Sequence, residues 1–257
     1  MSFLIGLSAG VFGGFIGGGG GVIMIPLMVS ILKLDQHTAH GISLVALVFT
    51  GIVGAATYAY NGSVDVTASL FMAATAIITA YSGAHFANSL SEWKLKRYFG
   101  GFLIFVSITL LFKSYLSQLH APFTGWMKIV LLLVTGAFTG FLSGMMGVGG
   151  GAIMIPMMVL FAGFSQHLAQ GSSLLAMVPA GSIGAYTHWK LGNVRTDVLR
   201  GLIPGIFIGT LLGSIFAHLL SDTALRTLFA FTLTCIGVRS LRAKRSPNGN
   251  LPPGYKK

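Results

Sequence analysis

Gly17-Gly18-Gly19-Gly20-Gly21-Val22-Ile23-Met24-Ile25-Pro26 returns 130 positions later as Gly147-Val148-Gly149-Gly150-Gly151-Ala152-Ile153-Met154-Ile155-Pro156. Both copies lie inside long apolar runs. Glycine costs about 1 kcal/mol per residue in a helix relative to alanine, so four or five together break it. A broken helix in lipid leaves N–H and C=O groups unpaired, which is tolerated only where the backbone is buried in protein or lines a wet cavity. Two such breaks, at corresponding positions of two halves, predict a transport site.

The chain has 257 residues, of which 54% are hydrophobic and 8% charged, so a water-soluble domain is excluded. Its apolar runs are long enough for a hydrocarbon core about 30 Å thick. The fold class expected is an all-α polytopic membrane protein of two homologous four-segment repeats. Met1-Ser2-Phe3-Leu4 offers no basic region or cleavage site, so no removable signal peptide is expected. Cys235 is the only cysteine, which excludes an intrachain disulfide. A net charge of +11 could indicate nucleic acid, but no soluble basic domain presents it. Orientation by the positive-inside rule, and contact with anionic headgroups of the lipid bilayer, account for it better.

The spacing predicts repeat 1 over 1–116, a linker at 117–125, repeat 2 over 126–241 and a basic, disordered tail at 242–257. Between 17–64 and 147–194, 24 of 48 positions are identical without a gap. The matches include Gln36-His37 with Gln166-His167 and Ser43 with Ser173. Apolar composition alone would match scattered Leu and Ala, not Gly, Gln, His and Pro, so the chain carries an internal duplication.

Two topologies follow from the first segment of each half. If 3–32 crosses the bilayer, the halves are parallel and the 16 basic residues split 11 to 5 between the faces. If 3–32 and 130–162 are hairpins that re-enter at the glycines, the halves are inverted. Only Lys113, Lys128 and Arg226 then oppose the other 13. The charge rule favours the inverted arrangement, with the C-terminus cytoplasmic.

The doubled glycine run with Ile-Met-Ile-Pro, followed by His, Gly and a helix of small residues, resembles the sulfite exporter TauE/SafE family over about 5–240. That resemblance implies a multi-pass permease of the bacterial inner membrane. It also implies a small anionic substrate, a sulfur oxyanion or organosulfonate such as sulfite or sulfoacetate.

Free N–H groups at a helix start bind anions without a buried positive charge. Gly19, Gly20, Gly21, Gly149, Gly150 and Gly151 are therefore the candidate substrate-binding residues, with hydroxyls from Ser43, Thr50, Ser172 and Ser173. Close packing explains glycines at spacing four, as in Gly6, Gly10 and Gly14 or Gly136, Gly140 and Gly144, but not consecutive ones. Gln36, His37, Gln166 and His167 are candidates for gating or proton coupling. His85 and His218, near helix ends, are expected to snorkel.

All five acidic residues, Asp35, Asp65, Glu92, Asp197 and Asp222, fall in expected loops. A carboxylate relay within the membrane is therefore not expected. Neither is a metal site or a cofactor. Two alternatives are an intramembrane serine hydrolase, for which Ser82-Gly83-Ala84-His85 would supply the pair, and a structural membrane subunit. A duplicated site argues against the enzyme, and two glycine breaks argue against the structural subunit.

Overall fold

The computed structural model describes residues 1–86, 92–113, 122–146 and 149–242. The expected tail from 243, most of the linker, and Gly147-Val148 lie outside the described residues. Ten helices build the described chain: α1 Ser2–Ile16, α2 Gly21–Ile31, α3 Gln36–Tyr60, α4 Val66–Phe86, α5 Glu92–Leu111, α6 Gly125–Met146, α7 Gly151–Leu160, α8 Gln166–Lys190, α9 Thr196–His218 and α10 Asp222–Leu241. The protein is therefore all-helical there, as composition requires. Expected and observed boundaries differ most at α5, which starts at 92 rather than 98, and at α6, which starts inside the expected linker.

Five helices, α3, α4, α6, α9 and α10, are long and apolar enough to cross a membrane. Helix α8 matches α3 at 25 residues but buries Gln166, Gln170, Ser172 and Ser173. Apolar side chains also cover the outside: Ile78, Phe105, Phe207, Phe216 and Phe231 are all at least half exposed. An exterior of this kind is matched to lipid tails rather than to water.

The order of contacts fixes how the helices run. A Cβ on Gly10 would lie 2.7 Å from the Ile206 carbonyl oxygen, and one on Gly6 or Gly14 would strike Leu202 or Thr210. Numbers rise together, so α1 and α9 run parallel. At positions 130 further on, Gly136, Gly140 and Gly144 press on the carbonyls of Met72, Ala76 and Ala80, so α6 and α4 repeat the arrangement. Each half thus lends its first helix to the other, and glycine lets the backbones touch.

Helices α3 and α8 instead cross antiparallel: Gly41 faces His188 and Asn193, Gly51 faces Val178, and Gly54 faces Leu174. The pair α5 and α10 is antiparallel too, with Gly100 on Gly237 and Ser107 donating to the Ala230 carbonyl at 2.6 Å. Helix α3 also follows α1: Ala39, Ile42 and Ala46 share a core with Ile5 and Ala9, and further along Thr50 meets Gly13 and Tyr58 donates to the Gly14 carbonyl at 3.2 Å. Since α1 and α3 point the same way, α2 must return between them. Its start lies on α1: a Cβ on Gly20 would collide with the Ala9 carbonyl. Helices α1 and α2 therefore form a hairpin bent at the glycines.

Charge is sorted between the two ends. At one end Arg97 donates to the Leu241 carbonyl at 3.0 Å, and Asn193 packs on Gly41. At the other, Lys128 lies 3.6 Å from Asp65, and Lys113 donates to the Phe164 carbonyl at 3.0 Å.

Candidate functional site

Helix α1 stops at Gly17, whose φ of 72° is left-handed, and its N–H closes on the Gly13 carbonyl at 2.9 Å. Gly19 and Gly20 follow at φ 83° and 71°, a region that L side chains rarely adopt. The chain can turn there only because no Cβ is present. In the second half Gly149 is also left-handed, at φ 86°, whereas Gly150 has ordinary helical φ of −93°.

The two breaks lie against each other. A Cβ on Gly151 would sit 2.5 Å from the Gly17 carbonyl oxygen and 2.6 Å from the Gly18 Cα. One on Gly149 would sit 2.7 Å from the Gly18 oxygen. Helices α2 and α7 start at this junction, and neither has a side-chain cap. The first amides of such helices have no partner within the helix. Leu47 of α3 and Met177 of α8, equivalent by the 130-residue offset, close the junction from behind.

A cleft opens beside the second break, between Thr139 and Ser143 of α6, Gly150 and Met154 of α7, and Met177 and Gly181 of α8. It has room for about one water molecule, and among the described residues no ionisable side chain lines it. Thr139 is 1% exposed, and its hydroxyl has no hydrogen-bond partner. Offset by 130, Thr139 and Ser143 correspond to Ala9 and Gly13, so the first break has no such hydroxyls. Neither Thr139 nor Ser143 stands out in the sequence, where each merely precedes a glycine of the stripe Gly136, Gly140 and Gly144 in an apolar run.

The sequence-expected hydroxyls divide. Ser173 is fully buried, with its Oγ 2.9 Å from the Gly17 carbonyl oxygen. Ser43 is fully buried at the equivalent place on α3. Ser172 is not at the break: its hydroxyl accepts the Asp65 N–H at 2.9 Å, where α4 begins. Thr50 donates to Ala46 within its own helix, at 3.1 Å, and turns its methyl toward Gly13. His37 and His167 start α3 and α8, which are antiparallel, so they stand at opposite ends of the molecule. The Gln36 side chain lies outside the described residues, whereas Gln166 is fully buried with both amide atoms unpartnered. His218 does not snorkel: its ring packs on Tyr58, centroids 4.5 Å apart, and Nε2 is buried. Ser82 is exposed and the His85 side chain is outside the described residues.

Spanning helices with a lipid-compatible exterior, enclosing two unwound glycine breaks in mutual contact, define a multi-pass membrane permease. The family comparison agrees: the profile of the Sulfite exporter TauE/SafE family matches residues 2–240, and the chain belongs to that family. It is similar to the "Probable membrane transporter protein YunE" of Bacillus subtilis, at 27% identity over 92% of this chain and 96% of the relative. It is also similar to YdhB of the same organism, at 24% identity with 89% and 94% covered. A third relative, MJ0441 of Methanocaldococcus jannaschii, is 26% identical over 76% and 73%. No solved structure matches the chain. These relatives each carry the name probable membrane transporter protein, and with its family the protein is a membrane transporter, not an enzyme.

Proposed function

We propose that the protein carries a small sulfur oxyanion or organosulfonate, such as sulfite or sulfoacetate, bound where the glycine breaks meet. The observation that carries this reading is the uncapped start of α7 beside Thr139, whose methyl is set against Gly150 and whose buried hydroxyl has no partner among the described residues. N–H groups of Gly151 and Ala152, with Thr139 and Ser143, offer donors to oxygens pointing in different directions. Because no lysine or arginine takes part, the anion is held weakly enough to leave. Gly19, Gly20, Gly21 and Gly149 shape the junction, and Ser43 and Ser173 brace it from α3 and α8. The closed cleft must widen to admit an anion, through movement of the hairpin α6–α7 against α4 and α8.

The antiparallel crossings of α3 with α8 and α5 with α10 support two halves inserted with opposite orientation. In this reading each hairpin re-enters the bilayer of the bacterial inner membrane, and repeats 1–116 and 126–241 flank one central site. The end holding Arg97, Arg195 and Leu241 is cytoplasmic, with the C-terminus. Gln36, His37, Gln166 and His167 then guard the two mouths.

A ligand that binds only the folded protein raises its apparent stability by mass action. Purified protein melted with sulfite, sulfate, thiosulfate, sulfoacetate, taurine and small carboxylates should be stabilised by the sulfur oxyanions and not by the zwitterion taurine. No shift with any anion, in protein that stays monodisperse, would contradict the proposal.

A further inference from the structure

A second set of polar side chains runs from one end of the molecule inward to Gly17. Asp222, the first residue of α10, accepts the backbone N–H groups of Gln166 and His167 and so ties α10 to the start of α8. The same carboxylate oxygen lies 3.4 Å from His167 Nδ1. The His167 and His218 ring centroids are 5.2 Å apart, and those of His218 and Tyr58 are 4.5 Å apart. Tyr58, buried in α3, donates to Gln170 Oε1 at 2.7 Å. Gln170 presses on Gly17: a Cβ there would lie 2.7 Å from the Gln170 Cβ. The line therefore ends at the glycine break.

The ring nitrogens of both histidines have distinct tasks. His218 Nδ1 is 2.8 Å from the Ser214 carbonyl oxygen, and His167 Nε2 is 3.1 Å from that of Ala217. A carbonyl only accepts, so each of these nitrogens carries a hydrogen permanently. The other nitrogen of each ring is left to gain and lose a proton. In His167 it faces the Asp222 carboxylate; in His218 it is buried without a partner. Gln166 Oε1 and Nε2 and Gln170 Nε2 are likewise buried and unpartnered along the same line. Buried polar atoms normally have a partner, so four such atoms on one line is a pattern that needs a cause. The groups facing the line from neighbouring elements are few. Beside Asp222 stand Arg226 and Lys113, whose ammonium is held below its ordinary pKa by burial and by Arg226. Helix α1 contributes no titratable side chain.

Taking the anion site above as given, we propose that Asp222, His167 and His218 conduct protons to the break, and that a proton crosses with the anion. A proton arriving at Asp222 adds to His167 Nδ1 and moves through one bridging water to His218 Nε2. From His218 Nε2 it passes to water that enters the break with the anion, because Tyr58 keeps its own hydrogen and Gln170 meets Gly17 through carbon atoms. Each imidazole gains and loses one proton and returns neutral, so nothing is oxidised or consumed. Tyr58 keeps its hydrogen on Gln170 and holds the His218 ring in place; it is a positioning residue.

The test uses full-length protein in liposomes containing a trapped pH dye, with potassium and valinomycin clamping the voltage. An inward sulfoacetate gradient at equal pH should acidify the lumen in the wild type. In His218→Phe the acidification should fall at least tenfold, while sulfoacetate exchange at equal concentrations stays within twofold. His167→Gln, which can still donate to the Ala217 carbonyl, should lose the acidification per sulfoacetate carried to the same extent, and serves if His218→Phe does not fold. Sulfoacetate entry without acidification in the wild type, or full acidification in both variants, would overturn the proton path and leave the anion site standing. If neither sulfoacetate nor sulfite crosses at all, the anion reading falls and the proton path with it.

Discussion

Ser173 Oγ lies 2.9 Å from the carbonyl oxygen of Gly17, 156 positions away, and 2.9 Å from that of Gln170 in its own helix. Its single hydrogen can serve only one of them at a time. The serine thus links the glycine turn of one half to the helix of the other, and can release it without leaving an unpaired donor. A hydrogen bond of this kind contributes about 1 kcal/mol net. Ser173→Ala should lower stability by about that amount and weaken anion-induced stabilisation, measured by thermal melts with and without sulfite. Unchanged ligand response would separate Ser173 from the site.

Thr139→Val separates structure from binding. The buried hydroxyl has no partner, so removing it from the resting protein should cost nothing and can stabilise by about 1 kcal/mol. If it donates to an anion, the variant loses a charge-assisted bond of about 1.5–3 kcal/mol, or roughly 10–100-fold in Kd. Titration by melting temperature checks both halves of the expectation. A variant that is less stable yet binds sulfite normally would refute it.

The glycine crossings predict a graded stability series. Alanine at Gly10 or Gly136 would press a methyl into backbone atoms of α9 or α4, which cannot yield as a side chain can. Overpacking of this kind costs about 1–3 kcal/mol. Gly101, in α5, has open space where a Cβ would go, so Gly101→Ala should be neutral or slightly stabilising. Detergent melts of the three variants would show whether the parallel crossings carry the fold.

Asp35 caps α3 by accepting the Thr38 N–H at 2.9 Å. Burial pushes its carboxyl up, but the bonds from Thr38 outweigh it and hold it below the ordinary value. A depressed carboxylate stabilises above its unfolded pKa of about 3.9 and loses that contribution as pH falls through the folded value. Asp35→Ala should therefore cost about 1 kcal/mol at pH 7. The gap from wild type should narrow when both are melted near pH 3.

The sorting of charge predicts orientation. Single cysteines at 33, 97, 195 and 242, in a Cys235→Ser background, should resist an impermeant thiol reagent in intact cells. Cysteines at 62 and 128 should react. Reaction at 33 together with protection at 242 would reverse the inverted arrangement.

How much of this was legible in the sequence depended on where the signal lay. The glycine runs announced their own breaks, because φ of 72° at Gly17, 83° at Gly19 and 86° at Gly149 is a region that L side chains rarely adopt. Residues 130 positions apart make like contacts, Gly6 with Leu202 and Gly136 with Met72, which the sequence offset alone did not name. Pairing across the repeat gives no weight to a side chain present in one half alone. Ser172, expected to offer its hydroxyl to the cavity, accepts the Asp65 N–H instead. Thr139 and Ser143 face alanine and glycine in the other half, so symmetry gave them no weight. His218 looked like an interfacial anchor because its partners, Tyr58 and His167, lie 160 and 51 positions away and meet it only in the fold.

The most direct measurement of the central claim is the position of a bound oxyanion. Selenite shares the pyramidal shape of sulfite, and selenium scatters anomalously, so crystals soaked in it locate the ion without ambiguity. A peak is expected within hydrogen-bonding reach of the Gly151 and Ala152 amides and the Thr139 hydroxyl, and should be lost in Thr139→Val crystals. A peak only among the basic side chains at the Arg97 and Arg195 end, with the glycine junction empty, would contradict it.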